Sequence, residues 1–162
     1  MGSSSPATAG HPLGWTVYHD SQDSFALLIP PGWRVSPLAN TLSTGGLCGH
    51  IIRVFPPDTV VNEKQAMSQL GEQVYVRVVL GCDDWPAGGH DGYFTPAAHP
   101  ISISGAAATM YDSSPNVDWS QHVATARFGG HEFIFGVQSP PERTQRDSAA
   151  YLLMVLGFRY TG

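Results

Sequence analysis

Lysine is almost missing from this chain. Lys64 is the only one among 162 residues, and Lys+Arg total 8 against 13 Asp+Glu, for a formal net charge of −5. The arginines (Arg34, Arg53, Arg77, Arg127, Arg143, Arg146 and Arg159) are scattered along the sequence. A surface that binds nucleic acid needs clustered cations to displace phosphate counterions, so nucleic acid is excluded as a partner. The same shortage argues against electrostatic docking on an anionic membrane. Charged residues make up 13% of the chain, about half the usual ~25%.

Long apolar runs are also lacking. None approaches the ~20 residues of a membrane span, and no signal-peptide core is present. The opening "MGSSSPATAG" reads as an initiator with expression-derived residues joined to a Ser/Pro/Ala-rich linker. Such linkers sit between a removed signal or lipid anchor and a folded domain. Residues 1–12 are therefore read as a flexible tail and 13–162 as one domain. The expected setting is extracytoplasmic: a secreted or membrane-anchored bacterial protein, compatible with a lipid anchor upstream.

Catalytic signatures are scarce as well. There is no G-x-S-x-G elbow, P-loop, dinucleotide fingerprint or EF-hand loop, and the sequence asks for no cofactor. Only two cysteines occur, Cys48 and Cys82. In an exported chain they are expected to pair. The bond would close a loop of about 35 residues, worth roughly 3–4 kcal/mol in the chain-entropy model. The alternative is two buried thiols acting as small apolar side chains.

What is present is alternation. Trp15 and Val17 share one face, and so do Phe25, Leu27 and Ile29, with the turn-forming "HDSQDS" between them, so the domain opens with a β-hairpin. Pro30-Pro31-Gly32 stops it, and Trp33 and Val35 return the chain to the core. "HIIRVFPP" is a strand. Asn62 and Gln65 suggest a capping box, and Ala66, Met67, Leu70, Val74 and Val78 follow at helical spacing. The β-branched run "VYVRVV" offers the alternative of a helix that becomes a strand near residue 74. Residues 81–100 read as the longest loop. "ISISGAAATMYD" reads as one strand with Gly105 at a pleat position. "VDWSQHVATARF" and "HEFIFGV" pair through Gly129-Gly130. A late helix over "ERTQRDSAAYLLMVL" buries Tyr151, Met154 and Val155 and leaves Arg143 and Asp147 outside, and "GFRYTG" ends on the sheet.

The order of these landmarks resembles the PsbP-like superfamily, which includes PsbP, Mog-type and LpqN-like bacterial exported domains. The residues that carry the resemblance are "FALLIPPGW", the Gly-Ala strand "ISISGAAATMYD", the turn in "FGGHEFIF" and the ending "LLMVLGFRY". It spans roughly residues 14–160. The resemblance implies an α+β fold, a central antiparallel sheet with helices on both faces in an α/β/α sandwich. It implies no catalytic residues, since the superfamily shares no active site, and it implies binding of other proteins.

The chemically densest stretch is "CDDWPAGGHDG". Asp83, Asp84, His90 and Asp91, with His99 beyond, have the donors for a divalent ion, but their spacing matches no zinc motif, and turn geometry explains the same residues. Cys48, His50, Cys82 and His90 would make a Cys₂His₂ set, which a disulfide excludes. Asp20 and Asp23 sit on a hairpin loop, where solvation is the ordinary explanation. His19, His122 and His131 stand alone. Trp15 and Trp33 follow the core pattern. Trp85, Tyr93 and Trp119 fall in loops or at strand edges, where aromatics make contacts. The expected contact surface is the 82–99 loop, with Trp85, Tyr93, His90 and Asp91. The leading reading is a non-catalytic binding or accessory domain with a protein or small-ligand partner. The alternatives are a metal-binding or hydrolytic protein using Cys48, His50, Cys82 and His90, and a carrier of a small apolar ligand.

Overall fold

The computed structural model describes residues 12–36, 41–42, 49–59, 72–79, 94–113 and 120–162. Within them the chain forms β1 (Thr16–Asp20), β2 (Phe25–Ile29), β3 (Arg34–Ser36), β4 (Thr41–Leu42), β5 (Gly49–Phe55), β6 (Gln73–Val79), β7 (Phe94–Ile103), β8 (Ala106–Ser113), β9 (Ser120–Phe128), β10 (His131–Ser139), a 3-10 turn (Pro141–Arg143), α1 (Thr144–Gly157) and β11 (Arg159–Tyr160). The strands make two antiparallel sheets. The small one has the order β1-β2-β11. The large one runs β3-β5-β6-β10-β9-β8-β7, with β4 paired to β5.

The α/β/α sandwich with helices on both faces is not what the structure shows. The protein is mostly β, and among the described residues the only α-helix is α1, which packs on β10, β2 and β7. Residues 73–79 explain part of the difference. Val74 and Val78 fit a helical stripe, but the same run forms β6, buried at every position from Gln73 to Val78. Val74, Tyr75, Val76 and Val78 are β-branched or aromatic, and a strand buried on both faces needs no alternation. The rest of the expected helix, residues 62–71, lies outside the described residues.

Two other readings change. Residues 94–100 belong to β7 rather than to a loop. Ser104 and Gly105 form a two-residue turn between β7 and β8 instead of a pleat position. Their φ values of 49° and 78° are both positive, as a type I′ hairpin turn requires. Gly129 and Gly130 make the second such turn, between β9 and β10.

Period-two alternation builds the core. Ile52 and Val54, Val74, Val76 and Val78, Phe133, Phe135 and Val137, and Ala124, Ala126 and Phe128 point from neighbouring strands to one face of the large sheet. Phe25, Leu27 and Ile29 of the small sheet and Tyr151, Met154 and Val155 of α1 close over that face. Phe158, just after the helix, sits edge-on to Phe135 with ring centroids 4.8 Å apart. Trp15 and Trp33 are half-buried against this core. The centre of the opposite face is buried too, around Ile51, Tyr75, Val123 and Ile134, beside Arg53 and Arg77.

Candidate functional site

Three surface or side-chain clusters stand out among the described residues. The first joins the two sheets. Asp20 ends β1 and is buried. Its Oδ1 accepts the Asp23 backbone N–H at 2.8 Å, closing the β1–β2 loop, and its Oδ2 accepts the Tyr18 hydroxyl at 3.2 Å. Burial, reinforced by the Asp20 charge, pushes the Tyr18 phenol above its ordinary value. The side chain of Asp23, on the same loop, holds His50 on β5. His50 Nδ1 lies 2.8 Å and 3.0 Å from the two carboxylate oxygens, and its Nε2 lies 3.0 Å from the Gln22 amide nitrogen. With Nδ1–H donating to the carboxylate, Nε2 accepts from the amide. Asp20 and Asp23 are therefore working structural groups rather than a solvated pair.

The second cluster fixes the start of α1. Glu72, next to β6, is buried. Its Oε1 accepts from Arg143 Nη1 at 2.8 Å and from Thr59 Oγ1 at 2.9 Å, and its Oε2 accepts from Arg146 Nη2 at 3.1 Å. Arg146 also donates through Nε to Asp147 Oδ1 at 2.9 Å and reaches Asp58 at 3.2 Å. Burial drives the Glu72 carboxyl above the usual range, and a hydrogen bond with Asp147 adds to that. The Arg143 and Thr59 hydrogen bonds pull the other way and lose. Asp58, at the surface, is lowered by its hydrogen bond to Arg146.

Asp147 is buried, contrary to the expectation that it faces outward. Sequence inspection passes over this cluster, yet a signal was there. Asp147, Tyr151 and Met154 are spaced four and three apart, on the stripe that packs inward.

The third feature is apolar. Leu152, Leu153 and Leu156 of α1 are 46%, 42% and 49% exposed, and Ala149 is exposed on the same side of the helix.

The remaining candidates are spread out. His99 is exposed on β7, with four strands between it and β5 in the sheet order, so it does not join His50. His122 stacks on the Tyr151 ring at 6.4 Å. His19 and His131 are exposed. Cys48, Cys82, Asp83, Asp84, Trp85, His90, Asp91, Tyr93 and Trp119 lie outside the described residues. Among the described residues no three His, Cys, Asp or Glu side chains group to hold a metal ion, and no helix is long and apolar enough to cross a membrane.

No protein-family model matches the chain, and no curated protein matches it by sequence. Solved structures do. The solution structure of cyanobacterial PsbP from Synechocystis matches with a TM-score of 0.55 at 11% identity, over 94% of this chain and 95% of that one. A crystal structure from Bacteroides thetaiotaomicron matches with a TM-score of 0.54 at 8% identity, over 93% of this chain and 50% of that one. This chain thus spans about half of the Bacteroides protein. Nearly the full length of both the chain and the cyanobacterial protein superposes, and the chain has a PsbP-like fold.

Proposed function

We propose that this chain is a non-catalytic binding or accessory domain of an exported bacterial protein, with its partner contacts on residues 82–93, just before β7. The observation that carries the reading is how the described ionisable clusters are used. Asp23 and His50 fasten the hairpin to β5, and Glu72, Asp147, Asp58, Arg143 and Arg146 fasten α1 to the sheet. These charges are spent on internal links, which gives a rigid platform from which loops contact a partner. The full-length likeness to a cyanobacterial PsbP supports the same reading by analogy of fold.

The test is site-specific photo-crosslinking in the native host. Crosslinkers at Trp85 and Tyr93 should each give one discrete adduct. A crosslinker at His131, exposed at the start of β10, should give none. Equal labelling at all three positions, or none at 85 and 93, would remove the loop as the contact surface.

One observation favours the metal-binding alternative. A carboxylate on Nδ1 is the usual outer partner of a metal-ligating imidazole, and Asp23 occupies that place on His50. Equilibrium dialysis against Zn²⁺ decides it. Stoichiometric zinc, lost in His50→Ala, would establish this reading over the first.

A further inference from the structure

We propose that Glu72 is a neutral carboxylic acid in the folded protein, its Oε2–H donating to Asp147 Oδ1, and that loss of this proton loosens the start of α1. Glu72 precedes β6 and Asp147 lies in the first turn of α1. Both side chains are buried, and both rest on Arg146.

The geometry at Arg146 carries the inference. Its Nε donates to Asp147 Oδ1 at 2.9 Å and its Nη2 to Glu72 Oε2 at 3.1 Å. Those two N–H groups form one edge of the guanidinium, a fork that ordinarily grips both oxygens of a single carboxylate. Here each tine holds an oxygen from a different carboxylate. The two oxygens are brought within reach of each other, and the two side chains are hydrogen-bonded. Ionised carboxylates only accept, so a hydrogen bond between them requires a proton.

The remaining contacts say which oxygen carries it. Glu72 Oε1 accepts twice, from Arg143 Nη1 at 2.8 Å and Thr59 Oγ1 at 2.9 Å, which uses both its lone pairs. Oε2 accepts once, so it can also be the hydroxyl. Asp147 Oδ2 accepts from Ser139 Oγ at 2.7 Å, and Oδ1 keeps a lone pair for the proton. Burial favours the neutral form of Glu72 in the same sense.

Among the described residues, the charged groups around the pair come from four places. Arg143 and Arg146 belong to the 3-10 turn and α1. Asp58, after β5, reaches both arginines at 3.6 Å and 3.2 Å. Arg34 of β3 donates to the Thr59 carbonyl at 2.7 Å, and Glu142 is exposed on the 3-10 turn. The arginines stay charged at any working pH, and Asp58, lowered, stays ionised. The charge that changes as pH rises is that of Glu72. Once ionised, it repels Asp147 across one guanidinium edge, and Asp147 is part of α1.

Two readouts on the full chain test this. Infrared difference spectra should show a protonated carboxyl at pH 6, where a side chain of 4.5 is ionised. The band should vanish in Glu72→Gln and shift in frequency in Asp147→Asn. Hydrogen exchange should show the amides of residues 148–151, which bond back to the first turn, losing protection at least fivefold as that band titrates. In Glu72→Gln, which keeps a neutral donor, protection should stay within twofold from pH 5 to 8. Wild type without the band at pH 6, a band unmoved by both substitutions, or helix protection indifferent to pH each overturns the proposal.

Discussion

Ser139 Oγ donates to Asp147 Oδ2 at 2.7 Å, and both side chains are buried. The bond ties the last residue of β10 to the first turn of α1, across the 3-10 turn. The other oxygen of Asp147 accepts from Arg146, which extends the tie to Glu72. Asp147→Ala leaves the Ser139 hydroxyl and the Arg146 Nε without their acceptor. Ser139 is buried, so the loss of its acceptor costs about 1–3 kcal/mol, whereas Arg146 is half-exposed and keeps Asp58 and Glu72. Urea denaturation should show that drop. A change below about 0.5 kcal/mol would mean that the helix is held by Tyr151, Met154 and Val155 alone.

Glu72 sets a pH dependence of definite sign. Its carboxyl is raised in the folded state by burial, against 4.5 for the free side chain. A raised folded value means the folded protein favours the protonated form. The stabilising contribution is therefore complete below the unfolded value and lost as pH rises through the folded one. Asp58 runs the opposite way. It is lowered from 3.8, so its contribution is present above that value and lost on acidification. In urea denaturation from pH 4 to 8, wild type should lose stability relative to Glu72→Gln as pH rises. A gain with pH would show that Arg143 and Arg146 outweigh burial.

Pro100 protects an edge. β7 ends the described order of the large sheet. The two-residue turn makes Ile103 and Ala106 a bonded pair, so Ile101 and His99 also bond to β8 and Pro100 faces the open side. A proline there removes an outward donor at no cost to the ladder. Pro100→Thr should leave the fold intact and raise light scattering on heating. Scattering like that of wild type would mean the edge is shielded by other means.

Gly136 carries the Tyr75 ring. The two are cross-strand partners on β10 and β6, and a Cβ at position 136 would run into the phenol. An aromatic over a strand glycine restores the packing that the glycine lacks. Burial pushes Tyr75 up to about 12, so displacing the ring into solvent is measurable twice. Gly136→Ala should cost about 1–3 kcal/mol, and a tyrosine in the alkaline spectrophotometric titration should move from about 12 towards 10. Unchanged stability and titration would remove the packing role.

Much of the β framework was legible in the sequence. The hairpin of Phe25, Leu27 and Ile29, the inward face of β9 and the Gly129-Gly130 turn all rest on alternation and positive φ, which are local. The misreadings have physical causes. Val74 and Val78 suit both a stripe and a doubly buried strand, and only the neighbours β5 and β10 decide. Ser104-Gly105 turns the chain within a run of small residues that shows no break. The links of Asp23 to His50, 27 residues apart, and of Glu72 to Arg143, 71 apart, are tertiary, and no local pattern encodes them. Asp147 reads as facing outward because it is charged, although its spacing with Tyr151 puts it on the inward stripe, where it is buried.

The proposal of an exported binding domain stands against a thiol-based site, and one measurement separates them most directly. Intact mass after alkylation in denaturant, with and without reductant, reports the state of Cys48 and Cys82. The account predicts two labels only after reduction, a Cys48–Cys82 bond that fits export and excludes a thiol metal site. Two labels without reductant would contradict it and turn the inquiry to zinc at His50.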